Sequence, residues 1–279
     1  FPALSEHVEG SETWLILQGP PMRTKAVFKP VTGSPNIWRP DGPSNQYIER
    51  INNVPRGGLS SPTVDIEWDV WRLVEPGKGV KEFIADVPSG SGTRDGTKLK
   101  GLLLYEQDAY GQNQYNYLYY DTKGQNSTTE ARPGAIFING DPLSTDTTAE
   151  IVFEWIGDDS VDASLVGNLR SISVYRRDED GNRIKTQAAE YAYAGDSSVH
   201  AHVGSRNDLV QVTTRTLVDL DETGEAGSAS PFHVTATQYR YHDDTPVSTS
   251  GDDRRLKIDG AKGQLKAVIS RQQIEFYAQ

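Results

Sequence analysis

Cysteine is absent from this 279-residue chain, and methionine occurs once, at Met22. The first absence excludes a disulfide scaffold, thiolate metal sites and a cysteine nucleophile. No run of about 18 apolar residues occurs, so no segment has the composition of a helix that crosses a bilayer. The longest apolar stretches, Leu102-Leu103-Leu104-Tyr105 and Ile151-Val152-Phe153, have strand length. Positive charge is scarce too: 28 Lys and Arg stand against 39 Asp and Glu, a formal net charge of -11. That balance speaks against nucleic acid, whose partners carry a clustered basic face, and against an acidic membrane surface. Apolar residues make up only 35%, but 5 Trp, 13 Tyr and 7 Phe are enough to seed a core, so a folded chain with a large exposed surface is expected.

The chain starts at Phe1 with its single methionine at position 22. An upstream segment removed in processing, a secretion signal, is the expectation, and with it an extracellular or cell-surface location. Asn126-Ser127-Thr128 is a glycosylation sequon in a polar stretch, which makes Asn126 a candidate acceptor.

Proline and glycine crowd the first sixty residues, as in Gly19-Pro20-Pro21, Arg39-Pro40-Asp41-Gly42-Pro43 and Val54-Pro55-Arg56-Gly57-Gly58. Proline at this spacing forbids helices and interrupts ladders. Residues 1-61 therefore read as an irregular extended arm or a small β unit. From about residue 62 to 279 a two-residue alternation sets in, as in Val64, Ile66 and Trp68 against Asp65, Glu67 and Asp69. Turn chemistry separates such runs at Gly111-Gln112-Asn113, Asn139-Gly140-Asp141-Pro142, Asp180-Gly181-Asn182 and Asp259-Gly260. The fold class is all-β, an antiparallel sheet of hairpins.

Internal echoes refine this reading. Glu190-Tyr191-Ala192-Tyr193 returns as Gln238-Tyr239-Arg240-Tyr241, and the strands that follow start Leu209-Val210-Gln211-Val212 and Leu265-Lys266-Ala267-Val268. Tyr120-Asp121-Thr122-Lys123-Gly124-Gln125 carries Tyr-Asp, two variable residues, Gly and a polar residue, and Asp178-Glu179-Asp180-Gly181-Asn182 is a degenerate copy. Asp accepts turn amides, Gly supplies positive φ, and Tyr packs along the hairpin. From about residue 100 to 279 the chain resembles the RHS/YD-repeat family. The resemblance implies a secreted or surface-attached protein whose hairpin repeats form long antiparallel ribbons able to curl into shells. Tyr120, Asp121, Gly124, Asp178 and Gly181 are then repeat-turn residues. A chain of this length holds too few hairpins for a shell, so it would be a fragment of a longer chain, a capped ribbon, or a subunit that completes its sheet with neighbours.

Chemistry has little foothold. Carboxylate pairs such as Asp158-Asp159, Asp243-Asp244, Asp252-Asp253 and Glu67 with Asp69 suit a glycosidase only if two of them face each other in an aromatic cleft, and Trp68, Trp71 and the tyrosines are the available lining. His200 and His202, two apart, lack a third ligand at a diagnostic spacing. Asp219, Asp221 and Thr223 followed by Gly224 match the first half of an EF-hand-type loop, making a weak calcium candidate without its closing Glu, since position twelve is Ser230. Tyr115, Tyr117 and Tyr119 alternate along one strand face, a candidate contact for a glycan or a second subunit. The expectation is a non-enzymatic structural protein without a cofactor, held by sheet completion between copies or within a larger chain. The other reading is a carbohydrate-binding or carbohydrate-active β-sandwich.

Overall fold

In a computed structural model the described residues are 2–19, 26–57, 65–86, 99–123, 129–140, 147–157, 165–194, 208–217, 231–241 and 265–276. They form sixteen strands in one sheet, whose spatial order equals their order in the chain. Every described pairing is antiparallel, as the alternation and turn chemistry require. The strands are β1 (Ala3–Glu9), β2 (Glu12–Gln18), β3 (Ala26–Val31), β4 (Ser34–Pro40), β5 (Tyr47–Gly57), β6 (Asp65–Glu75), β7 (Gly79–Asp86), β8 (Leu103–Asp108), β9 (Gln114–Lys123), β10 (Thr129–Ile138), β11 (Ala149–Trp155), β12 (Leu169–Arg177), β13 (Arg183–Tyr193), β14 (Leu209–Leu217), β15 (Pro231–Tyr241) and β16 (Leu265–Phe276). Two compact units divide them: Phe1–Asp121 with Glu130–Ile151, and Thr122–Thr129 with Val152–Gln279.

Where it is described, the proline-rich front is largely strand: β1 to β5 lie within it. Pro30 and Pro55 stand beside shifts in register, whereas Pro40 stays paired with Phe28. The β3–β4 ladder shifts between Pro30 and Val31. The β5–β6 ladder shifts between Ile51 and Val54, with Asn53 at φ 58 between them. A bulge absorbs the donor that proline lacks and turns the strand at the same point. Gly10 (φ 65) and Gly33 (φ 79) supply the positive φ of the two-residue turns joining β1 to β2 and β3 to β4.

The first unit owns two apolar clusters. One takes Leu4, Leu15, Phe28, Trp38, Ile48, Trp71, Leu73, Phe83, Ala85 and Leu103. The other takes Val54, Trp68, Val70, Ile84, Leu99, Leu104 and Tyr119. Trp68 and Trp71 are odd-spaced neighbours on β6, so one strand feeds both clusters, and both rings are fully buried. Between strands that bury both faces runs one polar row: register places Glu49 opposite Arg72 and Arg72 opposite Glu82. Glu82 is 1% exposed, and its Oε1 accepts from Arg72 Nη2 at 2.7 Å and Nε at 3.0 Å. A carboxylate that deep is tolerated because a charged donor sits directly across the strand pair.

The outer side of β1 is occupied at its first residues. Leu4 N donates to Gly101 O at 2.8 Å, Ala3 bridges Leu102, and Gly101 N in turn donates to Ile84 O at 2.7 Å. The segment before β8 is thereby pinned between β7 and β1. Gly101 has φ +84, and a Cβ there would overlap the Leu4 carbonyl oxygen.

In the second unit β12 to β16 form a sheet of different character. Among the described residues of these strands the buried ones are Ser171, Ser173, Ala188, Val210 and Val234, and Ser171 Oγ donates to Glu154 Oε2 at 2.6 Å. Threonine and glutamine are frequent along β14 and β15, and Gln238 Nε2 donates to Gln211 Oε1 across the pair at 3.3 Å. Ladder hydrogen bonds and cross-strand side-chain pairs take the place of a thick core.

Gly101→Ala is expected to cost about 2 kcal/mol or more, because it combines a left-handed φ with a backbone overlap. Gly10→Ala, at φ +65 with nothing within 4 Å, is expected to cost about 1 kcal/mol, the backbone term alone. Chemical denaturation of both variants checks the difference, and equal losses would remove the close approach from the account.

Candidate functional site

Asp178 shows what the repeat turn is made of. Its carboxylate accepts from Asn182 N at 2.6 Å and Asn182 Nδ2 at 3.0 Å, its carbonyl accepts from Gly181 N at 3.0 Å, and its own amide donates to Asn182 O at 3.0 Å. Gly181 has φ 82. The same device closes β8 and β9. Asp108 accepts from Asn113 N at 3.1 Å and Asn113 Nδ2 at 2.6 Å, its carbonyl accepts from Gly111 N at 3.1 Å, and its amide donates to Asn113 O at 3.0 Å. Gln112 N and Tyr110 N also donate to Asp108 Oδ1, at 2.9 and 3.1 Å. The braced loop holds Tyr110 out at 86% exposure.

The Asp108 turn was readable in the sequence but is absent from the motif reading above. Asp108-Ala109-Tyr110-Gly111-Gln112-Asn113 and Asp121-Thr122-Lys123-Gly124-Gln125-Asn126 share Asp, two variable residues, Gly-Gln-Asn. Tyr120 and Asp121 lie in the last residues of β9, while Gly124 and Asn126 lie outside the described residues.

The tyrosines form a second recurring device. Tyr119 is 2% exposed and its hydroxyl donates to Leu103 O, the first residue of β8, at 2.6 Å. Tyr193 donates likewise to Leu169 O, the first residue of β12, at 2.9 Å. In both units a tyrosine near the end of one strand fixes the start of the strand before it. Register shifts accompany the repeat tyrosines: between Val174 and Tyr175, Ala192 and Tyr193, and Arg240 and Tyr241. Tyr193 pairs with Leu209 and Tyr241 with Leu265, so the echoed sequences are echoed in register.

The row Tyr115, Tyr117 and Tyr119 grades inward. Tyr115, opposite Glu106, is half-buried; Tyr117 is half-buried with its hydroxyl 3.3 Å from Glu106 Oε2; Tyr119 is in the core. Burial, followed for Tyr117 by the Glu106 carboxylate, pushes both Tyr117 and Tyr119 well above the ordinary tyrosine value. Their hydroxyls are neutral donors committed to the protein.

Other candidates separate. Trp68 and Trp71 sit in different clusters, so they line no common cleft. Asp69 accepts from Arg50 Nη2 at 3.1 Å and Asn53 N at 3.3 Å, fixing the β5 bulge, whereas Glu67 is exposed. Asp219, Asp221 and Thr223, His200 and His202, and the Asp158, Asp243 and Asp252 pairs lie outside the described residues. Among the described residues no group of three His, Cys, Asp or Glu is placed to hold a metal ion.

The arrangement left for function is the pair of sheet edges. The β1 edge takes Gly101 and Leu102. At the other end of the strand order β16 pairs with β15 from Leu265 to Phe276, and β15 is its one strand neighbour among the described residues.

Asp108 makes the turn pH-sensitive. Desolvation is the largest single influence and opposes the shift, but the hydrogen bonds from the Asn113 side chain and the Gln112, Tyr110 and Asn113 amides together outweigh it, holding the carboxyl below its ordinary value. With the folded value depressed, the turn's added stability is complete above the unfolded value of about 4 and is lost as pH falls through the folded one. Amide exchange at Tyr110, Gln112 and Asn113 is expected to accelerate in that window; protection that is flat with pH would contradict the role given to Asp108.

No family model matches the sequence, and no curated protein matches it. Two solved structures align with the fold: the crystal structure of TcdB2-TccC3-Cdc42, with a TM-score of 0.43 and 10% identity, and that of TcdB2-TccC3 without hypervariable C-terminal region, with a TM-score of 0.41 and 10% identity. Each alignment covers 87% of this chain and 12% of the other, so the chain spans about an eighth of the length of the chains it matches.

Proposed function

We propose that this is a non-enzymatic structural β protein of the YD-repeat kind, acting outside the cell or at its surface as a subunit or segment of a larger assembly. Neighbours join by sheet completion at β16. The observation that carries the reading is the unequal treatment of the two edges: β1 is covered by a glycine-dependent contact, whereas β16 offers twelve residues of edge and an exposed Val268, 53% open. Among the described residues no second strand covers that edge, and an open edge of such length presents a row of amides and carbonyls that pairs with another strand. The incoming strand belongs to a second copy or to the next hairpin of a longer chain.

The matched Asp108 and Asp178 turns, and the register shifts before Tyr175, Tyr193 and Tyr241, support the repeat kinship. A sugar cleft built on Trp68, Trp71 and the tyrosine row finds no support, since those tryptophans and Tyr119 are spent on packing.

Light scattering of the full chain over a concentration series is expected to show growth beyond one chain. Val268→Lys places a charge on the edge and should weaken association about tenfold, with the melting temperature retained. A particle that stays at the mass of one chain at every concentration, or a variant that associates as well as the parent, would sink self-assembly through β16.

A further inference from the structure

The β8–β9 hairpin ends in an aromatic ring that packing does not use. Tyr110 stands two places after Asp108 at 86% exposure, on a turn whose backbone is fixed by the Asp108 carboxylate and carbonyl. The same place after Asp178 is taken by Asp180, also exposed, and the collar around Asp178 closes without an aromatic. After Asp121 the place belongs to Lys123. The turn therefore does not call for tyrosine. With the backbone on both sides already ordered, only two side-chain torsions remain to be settled when something covers the ring, so little entropy is lost on contact.

The tip is also neutral. Ala109, Tyr110, Gly111, Gln112 and Asn113 are all exposed and uncharged, in a chain in which 24% of residues are charged. Asp108 turns its carboxylate to the turn: Asn113 N, Asn113 Nδ2, Gln112 N and Tyr110 N all donate to it. Register sets Gly79 opposite Asp108, and the cations on either side of Gly79 are paired within the chain. Lys78 lies 3.8 Å from Glu75, and Lys81 lies 3.4 Å from Glu75 and 2.9 Å from Glu106. Two side-chain amides belong to the same tip. Gln112 is exposed, and a Cβ on Gly111 would come within 3.3 Å of Gln107 Nε2, so the bare glycine keeps the space over that amide open.

We infer that this tip binds a neutral glycan, with one pyranose ring stacked on Tyr110 and its hydroxyls bonded to the amides of Gln107 and Gln112. A sugar ring offers a face of C–H groups to an aromatic ring and a rim of hydroxyls to amides, and a few placed polar groups are enough to orient it. A protein partner fits poorly, because a stable interface takes roughly 20–30 residues a side and the tip exposes a handful. Single-stranded nucleic acid fits poorly too: its bases would stack on Tyr110, but its phosphates need cations, and Lys78 and Lys81 are engaged with carboxylates. Asp108 is a positioning residue, holding the backbone from which Tyr110 and Gln112 project. The site differs from the Tyr115, Tyr117 and Tyr119 row, which grades into the core, and it is separable from strand addition, because no β16 residue takes part.

The test is a saturation-transfer NMR titration of the full chain with cellohexaose and with chitohexaose, beside hexathymidylate. At least one of the two sugars is expected to bind, to lose affinity about tenfold with Tyr110→Ala and to keep it within about threefold with Tyr110→Phe, both at an unchanged melting temperature. Gln112→Ala should weaken binding about threefold, whereas Val8→Ala, an exposed residue of the first hairpin, should leave it unchanged. Asp108→Ala should weaken it, and Asp108→Asn, whose amide oxygen still accepts from the turn, should recover most of the loss. Binding of neither sugar, or binding that Tyr110→Ala leaves intact, would overturn the site. Asp108→Asn as weak as Asp108→Ala would overturn the bracing role, and hexathymidylate held as tightly as the better sugar would reassign the ring to base stacking.

Discussion

One backbone contact decides where the sheet stops. Leu4 gives its amide to Gly101, and the two segments approach so closely that only a residue without a Cβ fits. Because Gly101 also donates to Ile84, the same few atoms tie β1 to β7 and position the start of β8. The first apolar cluster draws Leu4, Phe83 and Leu103 from those three strands, so the contact organises packing as well as pairing. Where Ala3 and Leu4 are engaged, β1 has no free amides and carbonyls to offer a partner, and that sets it apart from the β16 edge proposed for strand addition.

Two small devices then repeat along the hairpins. An Asp at the strand end collects the amides of the turn, and a Gly at positive φ lets the chain reverse within that collar. A tyrosine hydroxyl reaches back to the carbonyl that opens the preceding strand. Each consumes polar groups that would otherwise be unsatisfied at a hairpin end, and each helps to fix register. Sheet order in that unit comes from hydrogen-bonding geometry repeated strand by strand.

The all-β fold was legible because alternation and turn residues are local signals, and the Tyr191 and Tyr239 echoes predicted matching strands. The front was harder. Proline marks it as irregular, yet Pro30 and Pro55 sit in strands beside register shifts, and bulges cannot be read from composition. Glu82 looks like any surface glutamate until register puts Arg72 across from it. Gly101 carries no sequence signal, since its partner Leu4 lies in the first strand. The tyrosine row shows the limit of periodicity: alternation put three rings on one face but not which face the core would claim.

The central claim is that one edge is sealed within the chain and the other completes its sheet with a partner. Hydrogen–deuterium exchange of the full chain at low and high concentration tests it most directly. The account predicts that Leu4 is protected at both, while alternate amides of β16 gain protection only as concentration rises. Concentration-independent exchange in β16, or new protection confined to other strands, would contradict it.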